Sequence, residues 1–400
     1  MMNMANQRTW FGASLVVVLL VAVLLAGCAG GPNLFVPDAS LTVSPTPPQP
    51  APTPIVIVAT PTPLAGLDPH EQRIVEVYRR YSPAVVNINT QILRGDFFFG
   101  VYPEEGSGSG FVWDRQGHIL TNYHVIQGAN QISVSFGEGQ EQLAQVVGVD
   151  PPNDLAVLRV DELPAGVEPL PLGDSDELVV GQLAVAIGNP FGQFERTLTV
   201  GVVSAVNRTL RLDDDRLLRG VVQTDASINR GNSGGPLLDS RGQLIGVNTA
   251  IFSPNGASVG VGLAIPVNKL KQVVPVLIAE GRFPHPWLGI EGLGYALTPE
   301  LARALNLPVD QGLLIARVYE NSPALRAGLR TATQNVMVRY RRYLVGGDIV
   351  TAIDGVPLRS WDDLRAYLDE QTEVGQTVRL SLWRDDQPLE VDLVLGQEPF

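Results

Sequence analysis

Asn229-Arg230-Gly231-Asn232-Ser233-Gly234-Gly235-Pro236-Leu237-Leu238, NRGNSGGPLL, sets a serine among glycines just ahead of an apolar, strand-like run. A glycine-rich loop is ordinarily a turn. Serine alone is a weak nucleophile. It becomes a strong one when a base lies within hydrogen-bond reach and a carboxylate orients that base. Ser233 is therefore a candidate nucleophile only if the rest of the chain supplies both partners.

Histidine is scarce, with four in the chain: His70, His118, His124 and His285. His124 lies in LTNYHVI, where an apolar strand meets a turn. His118 follows the turn signal DRQG and is expected to be exposed. His70 ends a linker and His285 stands at a domain junction. The acid is sought at the mouth of a buried strand. PPNDLAVLRV places Asp154 there, after two prolines and before an apolar β run. The order His124, Asp154, Ser233 is the order of chymotrypsin-type triads, unlike those of subtilisin and the α/β-hydrolases. Gly231 can adopt backbone angles closed to other residues, so the N–H groups of Gly231 and Ser233 can converge on a developing oxyanion. Gly234 and Gly235 are expected to keep the approach to Ser233 uncrowded.

Composition narrows the alternatives. The chain has 400 residues, 45% hydrophobic and 17% charged, with a formal net charge of -13. Two domains plus tails are expected at that length. Lys269 and Lys271 are the only lysines, and an acidic chain without a basic cluster argues against nucleic acid as a partner. One cysteine, Cys28, excludes an internal disulfide, and no Cys/His spacing suggests a metal.

The N-terminus reads as an export signal. Leu15 to Leu25 is an unbroken apolar run, and Ala26 and Gly27 are small. Leu25-Ala26-Gly27-Cys28 resembles a bacterial lipobox, which implies acylation of Cys28 as the mature N-terminus; an uncleaved membrane anchor is the alternative. Residues 29–69 hold 11 prolines and are expected to form an extended spacer, ~3.1 Å per residue, reaching about 100 Å at most.

From Asp68 the pattern changes. EQRIVEVYRRY has helical spacing of Ile74, Val77, Tyr78 and Tyr81. Short apolar runs at about ten-residue spacing then predict a mainly β fold, a sandwich or pair of barrels. A helix follows, with Pro266 in its first turn, Gly281 at its end and a kink or break at Pro275. From about Pro284 a small α+β unit begins. Its SWDDLRAYLDEQT carries a capping box at Ser360 and Asp363.

TNYHV, NDLAVL and GNSGGPL, in that order and with GVGLAIPV and PWLGI, make residues 70–400 resemble the HtrA/Deg family of trypsin-like serine proteases with one C-terminal PDZ domain. The resemblance implies a chymotrypsin-like double β-barrel over 70–283 and an α+β PDZ domain over 284–400, behind a signal or anchor (1–27) and a proline-rich linker (28–69). It assigns His124 as general base, Asp154 as its orienter and Ser233 as nucleophile. The oxyanion hole falls on the backbone of Gly231, Asn232 and Ser233. No cofactor or metal is implied. A histidine base must be neutral to act, so activity is expected to fall as pH drops through about 6 to 7.

The floor of the specificity pocket falls at Ser227, with Ile228, Val261, Gly262 and Leu263 as small apolar walls, so cleavage after aliphatic residues is expected. Arg230 departs from a proline common at that family position; in the family the peptide before this glycine can flip and switch the enzyme off, and a flexible Arg230-Gly231 bond is compatible with that. Arg94–Gly110, with Phe97 to Phe99, and Arg208–Gly220, with Asp213 to Asp215, map onto regulatory loops. In the PDZ unit Leu288, Gly289 and Ile290 match the carboxylate-binding loop, with helix 360–372 as the other wall of the groove. RTATQNVMVRYRRYLVGG is expected to be an exposed loop. The resemblance implies a homotrimer in the cell envelope, membrane-anchored and facing outside the cytoplasm. It would degrade unfolded or misfolded proteins and bind C-terminal peptides. A signalling protease with one dedicated substrate, or a non-proteolytic chaperone or scaffold, are the alternatives.

Overall fold

The computed structural model describes residues 66–96, 100–137, 141–189, 196–211, 217–229, 231–251, 260–292 and 297–399. The signal segment, Cys28, nearly all of the proline-rich spacer, Phe97 to Phe99, Asp213 to Asp215 and Arg230 lie outside them. The chain divides into Met1–Pro63 and Leu64–Phe400, and every described residue belongs to the second unit.

Helix α1, Pro69–Tyr81, starts at Asp68, whose carboxylate caps the amides of His70 and Glu71 while Glu71 returns the bond. Its apolar stripe docks Val77, Tyr78 and Tyr81 onto the core. Seven strands follow: β1 (Val85–Asp96), β2 (Gly100–Val112), β3 (His118–Thr121), β4 (Gln131–Ser135), β5 (Gln142–Leu143), β6 (Gln145–Asp150) and β7 (Leu155–Arg159). They form one antiparallel sheet in the order β5-β4-β1-β2-β3-β7-β6. One-turn helix α2, Tyr123–Ile126, leaves β3. β3 is buried on both faces, as is β7 from Leu155 to Leu158, which explains their unbroken apolar reading.

A second set closes into a six-stranded barrel, ordered β10-β13-β12-β11-β8-β9. Its strands are β8 (Leu183–Gly188), β9 (Thr197–Arg211), β10 (Leu217–Thr224), β11 (Pro236–Leu238), β12 (Leu244–Ile251) and β13 (Gly262–Pro266). One apolar cluster joins the two sheets: Ile88, Phe111, Leu120 and Leu155 from the first, Val185, Ile187, Leu238 and Val247 from the second. The fold is the mainly β, double-barrel type expected.

Several local expectations change. Helix α3, Val267–Glu280, runs through Pro275 without a break. Pro275 and Lys271, the residue whose carbonyl loses its helical donor, are both exposed, while Leu270, Val273, Val274 and Leu277 hold the helix to the core. Pro266 is the N-cap, one position before the first turn, and Gly281 caps the end at φ 78°. Arg208–Gly220 and Arg94–Gly110 are, where described, arms of long hairpins rather than loops, paired Leu210↔Leu218 and Asp96↔Gly100. His118 is buried, 7% exposed, with Nδ1 2.6 Å from Asp114 Oδ2; the turn before it carries the acid that draws it inward.

The C-terminal unit holds its own apolar core, centred on Leu313, Val350, Ile353, Val378, Leu380 and Leu393. Along the chain come short strands β14 (Pro286–Trp287) and β15 (Ile290–Glu291), helix α4 (Pro299–Leu305), strands β16 (Leu313–Leu314) and β17 (Arg317–Val318), and helix α5 (Pro323–Arg326). The expected loop at 330–347 contains a hairpin, β18 (Gln334–Val338) and β19 (Arg341–Val345). Its turn is Arg339-Tyr340, both at positive φ (47° and 66°), the handedness that matches hairpin twist. The main sheet runs β16, β20 (Ile349–Ile353), β22 (Thr377–Arg384), β23 (Gln387–Val394), with β21 (Val356–Pro357) paired to β20; β24 (Gly396–Gln397) pairs with β14. Helix α6, Trp361–Gln371, carries the expected capping box and buries Leu364 and Leu368.

At the junction His285 Nε2 lies 2.7 Å from Asp150 Oδ1, whose side chain is fully buried, and Nδ1 lies 4.0 Å from Asp369 on α6. Asn153 Nδ2 donates to the other Asp150 oxygen at 2.7 Å. Burial opposes a charge on His285, but the bond to Asp150 and the nearby Asp150, Asp369 and Glu398 carboxylates outweigh it and raise the imidazole above its ordinary value near 6.5. A raised histidine stabilises the fold fully below about pH 6.5, and the effect is lost as pH rises through the folded value. The thermal midpoint of the wild type should therefore fall over that window, and His285→Gln should flatten the fall. The variant should be less stable at pH 6, by up to about 3–5 kcal/mol for a broken buried pair. Parallel midpoint-against-pH curves for the two proteins would refute this.

Candidate active site

The site is built where the two sheets meet. The turn after β6 carries Asp154 at φ 55°, a left-handed conformation that aspartate tolerates better than most residues. Its carbonyl is held by the amide of Tyr123 (3.1 Å) and by Asn122 Nδ2 (3.0 Å). Its carboxylate, 1% exposed, faces α2. Oδ1 accepts the His124 amide at 3.0 Å, Oδ2 lies 2.7 Å from His124 Nδ1, and Thr249 Oγ1 donates to Oδ2 at 2.6 Å. Burial pushes this acid up, but the His124 and Thr249 bonds and the His124 charge more than offset it, so Asp154 lies below its ordinary value. An ionised carboxylate on Nδ1 assigns the ring proton to that nitrogen and leaves Nε2 as the acceptor. The ring is 34% exposed.

Thr249 occupies an irregularity of β12. The register against β13 slips between Asn248 and Ala250, so Thr249 is the extra residue of a bulge. A bulge re-aims a side chain, and here it aims one at Asp154. The carbonyl of the same residue accepts Ser233 Oγ at 3.4 Å. Thr249 thus touches both the acid and the serine. No hydrogen bond joins Ser233 Oγ to His124 in this structure.

The serine loop is internally stapled. Asn232 N donates to Asn229 O (3.1 Å), Asn229 N donates to Asn232 Oδ1 (3.0 Å) and Asn232 Nδ2 donates to Ser227 O (3.0 Å). The Asn232 amide is thus bonded within its own turn. The amides of Gly231 and Ser233 meet no acceptor among the described residues. Gly231 sits at φ 109°, which only glycine adopts readily. Gly234 and Gly235 have a different reason from open access. A Cβ on Gly234 would lie 2.2 Å from Ser109 O and 2.3 Å from Thr121 Oγ1, and one on Gly235 2.3 Å from Ile187 O. They let the loop press against β2, β3 and β8.

The other predicted residues lie as follows. Ser227 is exposed and Val261 half-buried. Ile228 is 1% exposed in the barrel core with Ala226, Leu237 and Ile245. Gly262 backs onto it, its missing Cβ 2.4 Å from Ile228 Cγ1, and Leu263 clusters with Leu218 and Val221. In the C-terminal unit Leu288 is buried. The carbonyls of Leu288 and Gly289 accept from Ala324 and Tyr319, and Ile290 pairs with Val318. The amides of Leu288 and Gly289 have no acceptor among the described residues. Trp361, the first residue of α6, fills the space where a Cβ on Gly292 would stand, 2.1 Å away. Thr249 and Ser109 escaped the sequence reading. Gly106-Ser107-Gly108-Ser109-Gly110 did carry a signal, since period-two alternation puts glycines on one face of a strand and serines on the other.

Residues 108–247 match the trypsin-like peptidase domain family and residues 292–395 the PDZ domain family. The chain is 41% identical over 336 residues to Protease Do-like 1, chloroplastic, of Arabidopsis thaliana, spanning 83% of this chain and 74% of that protein. It is 38% identical to the periplasmic pH-dependent serine endoprotease DegQ of Escherichia coli, over 83% of this chain and 70% of that one. The chain belongs to the HtrA/Deg family of trypsin-like serine endoproteases. Among solved structures, the HtrA-type protease AlgW with decapeptide superposes with a TM-score of 0.64 at 35% identity, covering 82% of this chain and 99% of that one. A Yersinia pestis serine endoprotease superposes at 0.57 and 30% identity, over 82% and 98%.

In this HtrA/Deg protein, Gly234→Ala should cost about 2–5 kcal/mol, from a left-handed side chain plus overpacking against Ser109. Gly128→Ala makes the control: φ is 74° and no atom lies within 4 Å, so only the conformational cost of about 1–2 kcal/mol remains. Equal losses in urea melts of the two variants would mean that the loop does not press on β2.

Proposed function

We propose that this endoprotease hydrolyses peptide bonds of unfolded or misfolded envelope proteins through an acyl-enzyme on Ser233. The carrying observation is the continuous contact from His124 through Asp154 and Thr249 to Ser233. His124 Nε2 takes the Ser233 proton as Oγ leaves the Thr249 carbonyl and attacks the substrate carbonyl. The same nitrogen then protonates the leaving amine, while Asp154 stabilises the imidazolium formed between the two steps. The unpaired amides of Gly231 and Ser233 receive the oxyanion. By the family resemblance Ser227, Ile228, Val261, Gly262 and Leu263 would line the specificity pocket, and none of the five is acidic, which favours small aliphatic residues before the cut bond.

The free amides of Leu288 and Gly289, beside the edge of β15, fit capture of a peptide carboxylate, with the peptide added as a strand and α6 as the far wall. The lipobox-like Cys28 and the proline-rich spacer support tethering to a membrane outside the cytoplasm. Assembly as a homotrimer follows the family resemblance.

Wild type should digest unfolded casein, with mapped cuts after aliphatic residues, and Ser233→Ala should not. Asp154→Asn should keep the fold and lower kcat by about 10⁴-fold, because the wrong ring nitrogen then carries the proton. Equal activity of wild type and Ser233→Ala defeats the assignment. At the PDZ unit, a fluorescent peptide with a free C-terminal carboxylate should bind at least ten times more tightly than its amide; equal anisotropy titrations would sink the carboxylate reading.

A further inference from the structure

We propose that Ser109 is a positioning residue for the oxyanion hole. The inference rests on the assignment of the Gly231 and Ser233 amides as oxyanion donors. Ser109 lies on β2, is fully buried and comes from the sheet opposite the serine loop. All its polar groups are committed. Its Oγ–H donates to Gly231 O, and its N–H donates to Ser233 O at 2.9 Å. It therefore grips the carbonyls of the two residues whose own amides are left free. Its Oγ accepts the Asn189 amide at 2.8 Å, which directs the hydroxyl proton toward Gly231. Its carbonyl accepts Thr121 Oγ1 at 2.7 Å, at the end of the strand that leads to His124.

The physical need comes from Gly231 itself. A positive φ requires glycine there, but glycine restrains its own rotation least of all residues. With no side chain to lock it, its orientation must be set by bonds to its backbone. The Ser109 hydroxyl supplies one, inside a site closed to water, where a bond cannot be exchanged for one to solvent. The anchor is itself anchored. Asn87 Nδ2, on β1, donates to Asn189 O at 2.7 Å and to Ser107 Oγ at 2.9 Å. A buried polar chain thus runs Asn87, Asn189, Ser109, Gly231, from the first sheet through the end of β8 to the loop. A purely structural hydroxyl would need one partner. Ser109 holds the loop on both sides of Asn232, at Gly231 through its hydroxyl and at Ser233 through its backbone N–H.

The test uses the full-length protein as Ser109→Ala, Ser109→Cys, Thr90→Ala and Ser233→Ala. Thr90 is buried on β1, away from the loop, and its variant reports the effect of lost stability alone. Peptide hydrolysis, inhibition by a peptide aldehyde that forms a tetrahedral adduct, and thermal midpoints are measured together. Ser109→Ala should lower kcat at least tenfold with KM within twofold, and should raise the aldehyde inhibition constant by the same factor. The pH midpoint of kcat/KM should stay in place, since His124 and Asp154 are untouched. Ser109→Cys, a near-isosteric weak donor, should fall between alanine and wild type, and carries the test if the alanine variant does not fold. The proposal is overturned if kcat stays within twofold of wild type, if only KM changes, or if Thr90→Ala at equal midpoint loses as much kcat. A wild type no more active than Ser233→Ala would instead overturn the assignment of the site on which the proposal rests.

Discussion

The ionised carboxylate of Asp154, sealed from water, is the constraint around which the rest of the site is arranged. A buried carboxylate is tolerated only when donors surround it. Here the His124 amide and ring and the Thr249 hydroxyl do so. The donors come from two residues far apart in the chain, and these and the acid are each placed by a local departure from regular structure. Asp154 itself takes a left-handed turn, His124 stands on a one-turn helix, and Thr249 sits in a bulge. Meeting the needs of one charge therefore fixes the imidazole, and through the Thr249 carbonyl it also locates the serine.

The serine loop obeys a second constraint, close approach. Gly234 and Gly235 have no room for a side chain because β2, β3 and β8 lie against them. Glycine permits that contact but supplies no rigidity, so the hydrogen bonds from Ser109 and within Asn229–Asn232 give the loop its shape. The same solution recurs in the C-terminal unit. Gly289 at φ 85° abuts Ser322, and neighbouring amides are left without acceptors. Both places leave backbone N–H groups without an acceptor among the described residues, and in the proposed function each would receive an anionic oxygen, one transient and one a terminus. Neither needs a cationic side chain, which suits a chain of net charge -13 with two lysines.

Much of this was legible in the sequence because it is written in local chemistry. Apolar runs, the capping box at Ser360 and Asp363, the helix stop at Gly281 and the ordered TNYHV, NDLAVL and GNSGGPL segments all carry their meaning in adjacent residues. Long-range pairing was less legible. The arms at Arg208–Arg211 and Leu217–Gly220 read as a loop because strand character there comes from a partner across the hairpin. His118 read as exposed because Asp114, which draws it inward, looked like part of an ordinary turn. The bonds that close the serine loop on itself, Asn232 N to Asn229 O and Asn232 Nδ2 to Ser227 O, were equally invisible in the sequence.

The sequence by itself determined the residue types and their order: a serine among glycines, one histidine at a strand end, one aspartate before a buried strand, and a second α+β unit behind them. That follows because backbone preferences and hydrophobic periodicity act over a few residues. Only the tertiary structure decided which side chains meet. Thr249, Ser109, Asn189 and Asn87 enter the site from strands far apart in the chain, and no local pattern says that a hydroxyl on β2 reaches a carbonyl 122 positions away. Those contacts exist because two sheets pack on one apolar core, and buried polar groups at their seam must find partners across it.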